Sequence, residues 1–158
     1  MKWHKYLVTV LGTGYAPIAP GTAGSTVGIV ILFSINWLFN DLGFEQPAVL
    51  FFNLALITAV FFLGARSVKK IHTVWKQDAS MIVIDEVVGV WLAALALPIR
   101  WQYYLAALVL FRFFDIVKPL YIRKIDAMTG HWSVMLDDVV AGAYAAILLH
   151  CSLFFNLL

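Results

Sequence analysis

Residues 81–97 read MIVIDEVVGVWLAALAL, an apolar run broken only by Asp85 and Glu86. A transmembrane helix needs roughly 17–25 mostly apolar residues, and this stretch reaches that length. Four further stretches qualify or come close: Ala23 to Phe39, Ala48 to Gly64, Tyr103 to Pro119 and Val139 to Leu157. The first of them starts among small residues and carries Ser34 and Asn36. The whole chain is 63% hydrophobic and 13% charged, with a mean hydropathy of +0.89. Soluble domains average about 45–50% apolar and about 25% charged residues. The sequence therefore predicts an all-α, polytopic integral membrane helix bundle of about five transmembrane helices. No linker, repeat or low-complexity stretch divides residues 1–158, so one membrane-embedded domain is expected.

Lys and Arg in short loops set orientation by staying on the cytoplasmic side. With a cytoplasmic N-terminus, that side holds Lys2, Lys5, Arg66, Lys69, Lys70, Lys76, Lys118, Arg123 and Lys124, against Arg100 alone on the other, a nine-to-one bias. Trp37, Trp101, Tyr103 and Tyr104 fall near the opposite ends, where interfacial aromatics belong. A net charge of +2 with scattered basic residues gives no nucleic-acid footprint. Lys2 and Lys5 precede an apolar run too short for a cleaved signal, so the N-terminus is expected to be retained. The single Cys151 rules out a disulfide framework and a Cys-based zinc site, and is expected to be a buried thiol.

Five of the nine acidic residues lie in or beside apolar stretches: Asp85, Glu86, Asp115, Asp137 and Asp138. Each costs about 2.5 kcal/mol or more in a membrane, so each needs a partner or a function. On the expected topology Asp85 and Glu86 open the third span, Asp115 sits one turn before the fourth ends, and Asp137 with Asp138 opens the fifth. All five meet at the cytoplasmic face. Asp115 lies near a helix C-terminus, where the macrodipole opposes it. Carboxylates brought together repel unless a cation sits among them, and an all-oxygen donor set suits Mg²⁺. Such an ion polarises phosphoryl oxygens and lowers the pKa of a bound water.

In the segment Phe111 to Pro119, Arg112, Asp115 and Lys118 recur at three-residue spacing along one helix face. Arg112 either holds phosphate through its planar donor fork or serves as the salt bridge that makes Asp115 tolerable. Pro119 ends the helix, so Lys118 is expected to snorkel toward headgroups. Ahead of the first span, residues 12–25 read GTGYAPIAPGTAGS. Without the Gly-Lys-Ser/Thr ending of a nucleotide loop, this stretch either presents backbone N–H groups to an anion or is a tight re-entrant turn whose small residues permit close packing. No histidine has a partner at helical ligand spacing. Surface or packing roles are expected for His4, His72 and His150, whereas His131 precedes Asp137 closely enough to be a site candidate.

Gly12-Thr13-Gly14 with Ala19-Pro20-Gly21-Thr22-Ala23-Gly24-Ser25, Ile84-Asp85-Glu86-Val87-Val88-Gly89, Phe111-Arg112-Phe113-Phe114-Asp115 with Lys118-Pro119, and Met135-Leu136-Asp137-Asp138-Val139-Val140-Ala141-Gly142 occur in this order. Together they resemble the phosphatidylglycerophosphatase A family over about residues 12–142. The resemblance implies a multi-pass, Mg²⁺-dependent phosphatase of the bacterial inner membrane with its active site facing the cytoplasm. The implied substrate is phosphatidylglycerophosphate, hydrolysed to phosphatidylglycerol and phosphate on the route to cardiolipin. Asp78, Arg123 and Asp126 also fall where the family carries such residues. One departure is the segment Gly130-His131-Trp132-Ser133, which stands where the family has a glycine-rich turn and bears on headgroup access.

The roles expected are Asp85, Glu86, Asp137 and Asp138 as metal ligands, Asp115 as a further ligand or the group orienting water, and Thr13, Gly21, Thr22, Ser25, Arg112 and Lys118 as phosphate-binding residues. Either water or a carboxylate attacks phosphorus. Two rival classes fit less well. Alcohol phosphotransferases place their Asp cluster on one helix, whereas these acids come from three. Cation transporters place their sites at broken helices near the midplane, often with internal repeats.

Overall fold

The computed structural model describes residues 2–71, 79–119, 121–126 and 132–156. Among them every regular element is helical: α1 (Lys2–Val8), α2 (Pro20–Asp41), α3 (Gln46–Ile71), α4 (Ile84–Ala93), α5 (Trp101–Val117), α6 (Tyr121–Asp126) and α7 (Ser133–Phe154), with single 3₁₀ turns at Thr13–Tyr15 and Ala79–Met81. Three of them, α2, α3 and α7, are long and apolar enough to cross a membrane. All three begin ahead of the expected bounds, α3 at Gln46 rather than Ala48. Pro20 opens α2 at the first helical position, where its missing N–H costs nothing. At the other end of the chain, α7 starts six residues before the expected Val139, which puts Asp137 and Asp138 in its second turn.

The stretch expected to form the third span folds differently. Its helix, α4, has ten residues, a length of about 15 Å, half the hydrocarbon thickness. The backbone turns away after Ala93, and Ala96 adopts a left-handed conformation (φ 59°). The apolar run continues to Leu97, so hydropathy alone extends the helix too far. Residues on all sides of α4 are buried, including Ile84, Val87, Val88, Val90 and Trp91. It is the bundle's central post, with α2, α3, α5 and α7 around it.

Two glycines set its tightest crossing. A Cβ on Gly142 of α7 would collide with the backbone of Gly89 on α4, and one on Gly89 would meet the Phe111 ring and the Asp138 carbonyl oxygen. Small residues let helix backbones approach closely where lipid supplies no hydrophobic drive between helices. On the α2 side, Gly24 and Gly28 receive Val83 and Val87, and Trp91 Nε1 donates to the Gly28 carbonyl at 2.6 Å. The N-terminal helix docks on α3, where His4 Nδ1 lies 2.9 Å from Ser67 Oγ. Its end meets the start of α4, where Val83 N donates to the Val8 carbonyl at 2.8 Å.

Two expectations about exposure are corrected. Cys151 is exposed on α7 rather than buried, since the outer face of a bundle in lipid is as apolar as its core. Tyr104 points inward instead of lying at the interface, and its hydroxyl accepts a 2.8 Å hydrogen bond from Asn36 Nδ2.

Candidate functional site

The alternation of helix directions brings the start of α2, the start of α4, the end of α5 and the start of α7 to one end of the bundle. Oxygens of Asp85, Glu86 and Asp138 lie within 4.8 Å of one another there. Asp85 and Asp138 are buried. Glu86 N donates to Asp85 Oδ1 at 3.1 Å, so the first turn of α4 holds the Asp85 side chain in place. Asp138 reaches the pair because Gly89 lets its backbone settle against α4. Glu86 Oε2 and Asp138 Oδ1 are buried and lack a hydrogen-bond partner.

Arg112 faces this cluster from α5. Its Nη1 bonds Asp115 Oδ2 at 2.5 Å, one helical turn along, and lies 3.8 Å from Glu86 Oε1. Asp115 is close enough to Glu86 and Asp138 for their charges to interact. Gly21, in the first turn of α2, closes the site. A Cβ there would strike Glu86 Oε1 and approach Arg112 Nη1. The glycine stretch thus meets the cluster by close packing.

Asp137 takes a different place from its neighbour. Consecutive residues on an α-helix point about 100° apart, and Asp137 turns to Lys118, whose Nζ lies 2.8 Å from its Oδ2. Lys118 caps α5 in a left-handed conformation (φ 47°), its N–H bonded to the Phe114 carbonyl as the helix ends ahead of Pro119. The set of three therefore excludes Asp137, expected as a ligand, and joins it to Lys118, expected on phosphate.

The hydroxyls are spent locally. Ser25 is fully buried and donates to the Gly21 carbonyl at 2.7 Å, and Thr13 Oγ1 donates to the Thr9 carbonyl at 3.0 Å. Thr22 is exposed in the first turn of α2. Asp78, His72 and His131 lie outside the described residues, as does the side chain of Asp126. Gly89 and Gly142 position the acids without carrying chemistry of their own, and their signal in the sequence is that each closes one of the acidic motifs.

The donor set fits a hard divalent cation. It is all oxygen and supplied by α4 and α7, with Asp115 of α5 alongside. Four neighbouring carboxylates, Asp85, Glu86, Asp115 and Asp138, face one guanidinium. Two buried carboxylate oxygens remain without a partner, a costly arrangement unless a cation completes it.

The phosphatidylglycerophosphatase A family model matches residues 6–153. A protein of Bacteroides thetaiotaomicron named "Putative phosphatidylinositol-3-phosphatase" is 42% identical, the match covering 94% of this chain and 95% of that one. Proteins named phosphatidylglycerophosphatase A from Haemophilus influenzae and Escherichia coli are 38% and 32% identical, covering 89% and 94% of this chain and 83% and 81% of theirs. No solved structure matches the chain. Family match and relatives span the helices that build the carboxylate cluster, and on that ground the chain belongs to the phosphatidylglycerophosphatase A family and is a phosphatase.

Proposed function

We propose that the chain hydrolyses phosphatidylglycerophosphate to phosphatidylglycerol and phosphate, with Mg²⁺ held by Asp85, Glu86 and Asp138 at the cytoplasmic face of a bacterial inner membrane. The observation that carries this reading is the cluster itself: three carboxylates within 4.8 Å, two of their oxygens buried without a partner, beside Arg112. In the same reading α2, α3 and α7 cross the bilayer, α5 with its 17 residues just reaches the shortest spanning length, and α4 enters only half of it, so its charged first turn stays near the headgroups. The basic side chains expected on the cytoplasmic side support this orientation.

The bound cation would neutralise phosphoryl charge and acidify a coordinated water. The chain's own residues do the rest. Arg112 grips a phosphoryl oxygen with the donors that Asp115 leaves free. Asp115 accepts a proton from the attacking water, whose oxygen bonds to phosphorus as the P–O bond to the headgroup glycerol breaks. The released alkoxide takes the proton from Asp115, giving the neutral alcohol and inorganic phosphate and restoring the carboxylate. Asp137 and Lys118 fix the junction of α5 and α7 and keep Asp138 aimed inward.

The name carried by the Bacteroides relative favours a second substrate, phosphatidylinositol 3-phosphate, another lipid phosphate monoester. One experiment separates the two. Purified protein in mixed micelles is given each lipid with Mg²⁺ or chelator, and phosphate release is followed. Faster release from phosphatidylglycerophosphate, only with Mg²⁺, supports the proposal; release from the inositol lipid alone overturns the substrate.

A further inference from the structure

The early end of α4 leaves space at the opposite end of the bundle. A cavity of 420 Å³ opens there, lined by Asn36, Asn53, Gln46, Leu50 and Leu97. It shares Gln46 and Leu97 with a neighbouring cavity of 450 Å³ that reaches Asn40 and Arg100. Asn36 and Asn53 are 3% and 2% exposed. Each keeps its amide oxygen Oδ1 buried and without a hydrogen-bond partner. A buried carbonyl oxygen left unpaired costs free energy, so a donor belongs there.

The site is remote from the carboxylates. Asn36 lies fifteen residues along α2 from Gly21 (36 − 21), or about 22 Å. Its depth is marked by Trp37 and Trp101, the exposed neighbours in sequence of Asn36 and Arg100. Such tryptophans sit at headgroup level. The volume lies in the range of ligand sites, about 300–1,000 Å³, and far exceeds the roughly 30 Å³ of one water. Apolar walls from Leu50 and Leu97 suit a glycerol backbone and the start of its chains, the two amide oxygens suit hydroxyl donors, and Arg100 at the rim suits a phosphodiester.

We infer that this cavity binds the headgroup of a glycerophospholipid from the leaflet opposite the carboxylate cluster, selecting headgroups that carry free hydroxyls. The inference is independent of the substrate proposed above.

The test compares two lipids of equal charge: phosphatidylglycerol, with two headgroup hydroxyls, and phosphatidylmethanol, with none. Protein purified from vesicles containing both in equal amounts is examined by native mass spectrometry for retained lipid. The expected wild-type result is a preference for phosphatidylglycerol of about fivefold, the worth of one net hydrogen bond. That preference disappears in Asn53→Leu and persists in Asp85→Asn. Arg100→Gln, at an exposed position that cannot threaten folding, lowers retention of both lipids without changing their ratio. Equal retention of the two lipids by the wild type, a preference surviving Asn53→Leu, a preference lost in Asp85→Asn, or retention untouched by Arg100→Gln would each overturn the inference.

Discussion

At one end of the helices the buried polar groups are carboxylates, faced by Arg112 and Lys118; at the other they are the neutral amides Asn36 and Asn53, the first bonded to Tyr104. Both ends leave side-chain oxygens buried without a partner. The costs differ greatly. An unsatisfied neutral amide costs about 1–3 kcal/mol, whereas an uncompensated buried charge costs several kcal/mol per ion. A chain can carry the amide end as a modest defect or a binding site. The carboxylate end could hold a metal ion, and the proposed reaction places its cation there.

The largest expected break in this contrast comes from the charged end. Asp138→Asn removes one of the three clustered negative charges and should lower turnover about a hundredfold or more, while melting in detergent stays near wild type or rises as repulsion is relieved. Phosphate release alongside a thermal melt separates the two effects. Next comes the crossing that holds the acids together. Gly142→Leu drives a side chain into the Gly89 backbone and should cost about 1–3 kcal/mol or more, read as a lower melting temperature with activity lost in proportion to folded protein. A folded, fully active Gly142→Leu protein would show that the acids do not depend on this close approach.

Arg112→Lys keeps the charge and loses the planar donor fork, of which Nη1 alone meets Asp115 and Glu86 and the other donors are left for phosphate. A drop in kcat of about tenfold is expected, and an unchanged kcat would remove Arg112 from phosphate binding. The smallest effect belongs to the neutral end. Asn53→Leu should leave phosphate release within about twofold, because Asn53 lines the cavity at the opposite end of the bundle from the cluster, and should alter stability by no more than about 1–2 kcal/mol. A hundredfold loss of turnover in this variant would erase the distinction between the two ends.

Much of the charged end was legible in the sequence. Asp85, Glu86, Asp115 and Asp138 announce themselves because ionisable groups in apolar runs are expensive, and the three-residue spacing of Arg112 and Asp115 predicts their ion pair. What the residues did not disclose is rotation about a helix axis. Asp137 and Asp138 are equivalent as letters, and only the seating of α7 on Gly89 decides that one joins the cluster and the other meets Lys118. Hydropathy could not separate the helix of α4 from the irregular chain that follows it, because residues 94–97 are as apolar as those before them. The same blindness hid the exposure of Cys151, since a lipid-facing surface and a protein core attract the same side chains. Asn36 did give a signal, a polar residue inside an apolar run, although nothing in the run pointed to its partners Tyr104 and the cavity.

The central claim is that these carboxylates act by holding a divalent cation against a lipid phosphate. Its most direct test is phosphate release from phosphatidylglycerophosphate by the purified protein, first stripped with chelator and then titrated with Mg²⁺, in parallel with Asp138→Asn. The expected result is no release above background in chelator, saturable recovery by the wild type, and at most about one hundredth of that recovery by the variant. Full release in chelator, or wild-type recovery by Asp138→Asn, would contradict it.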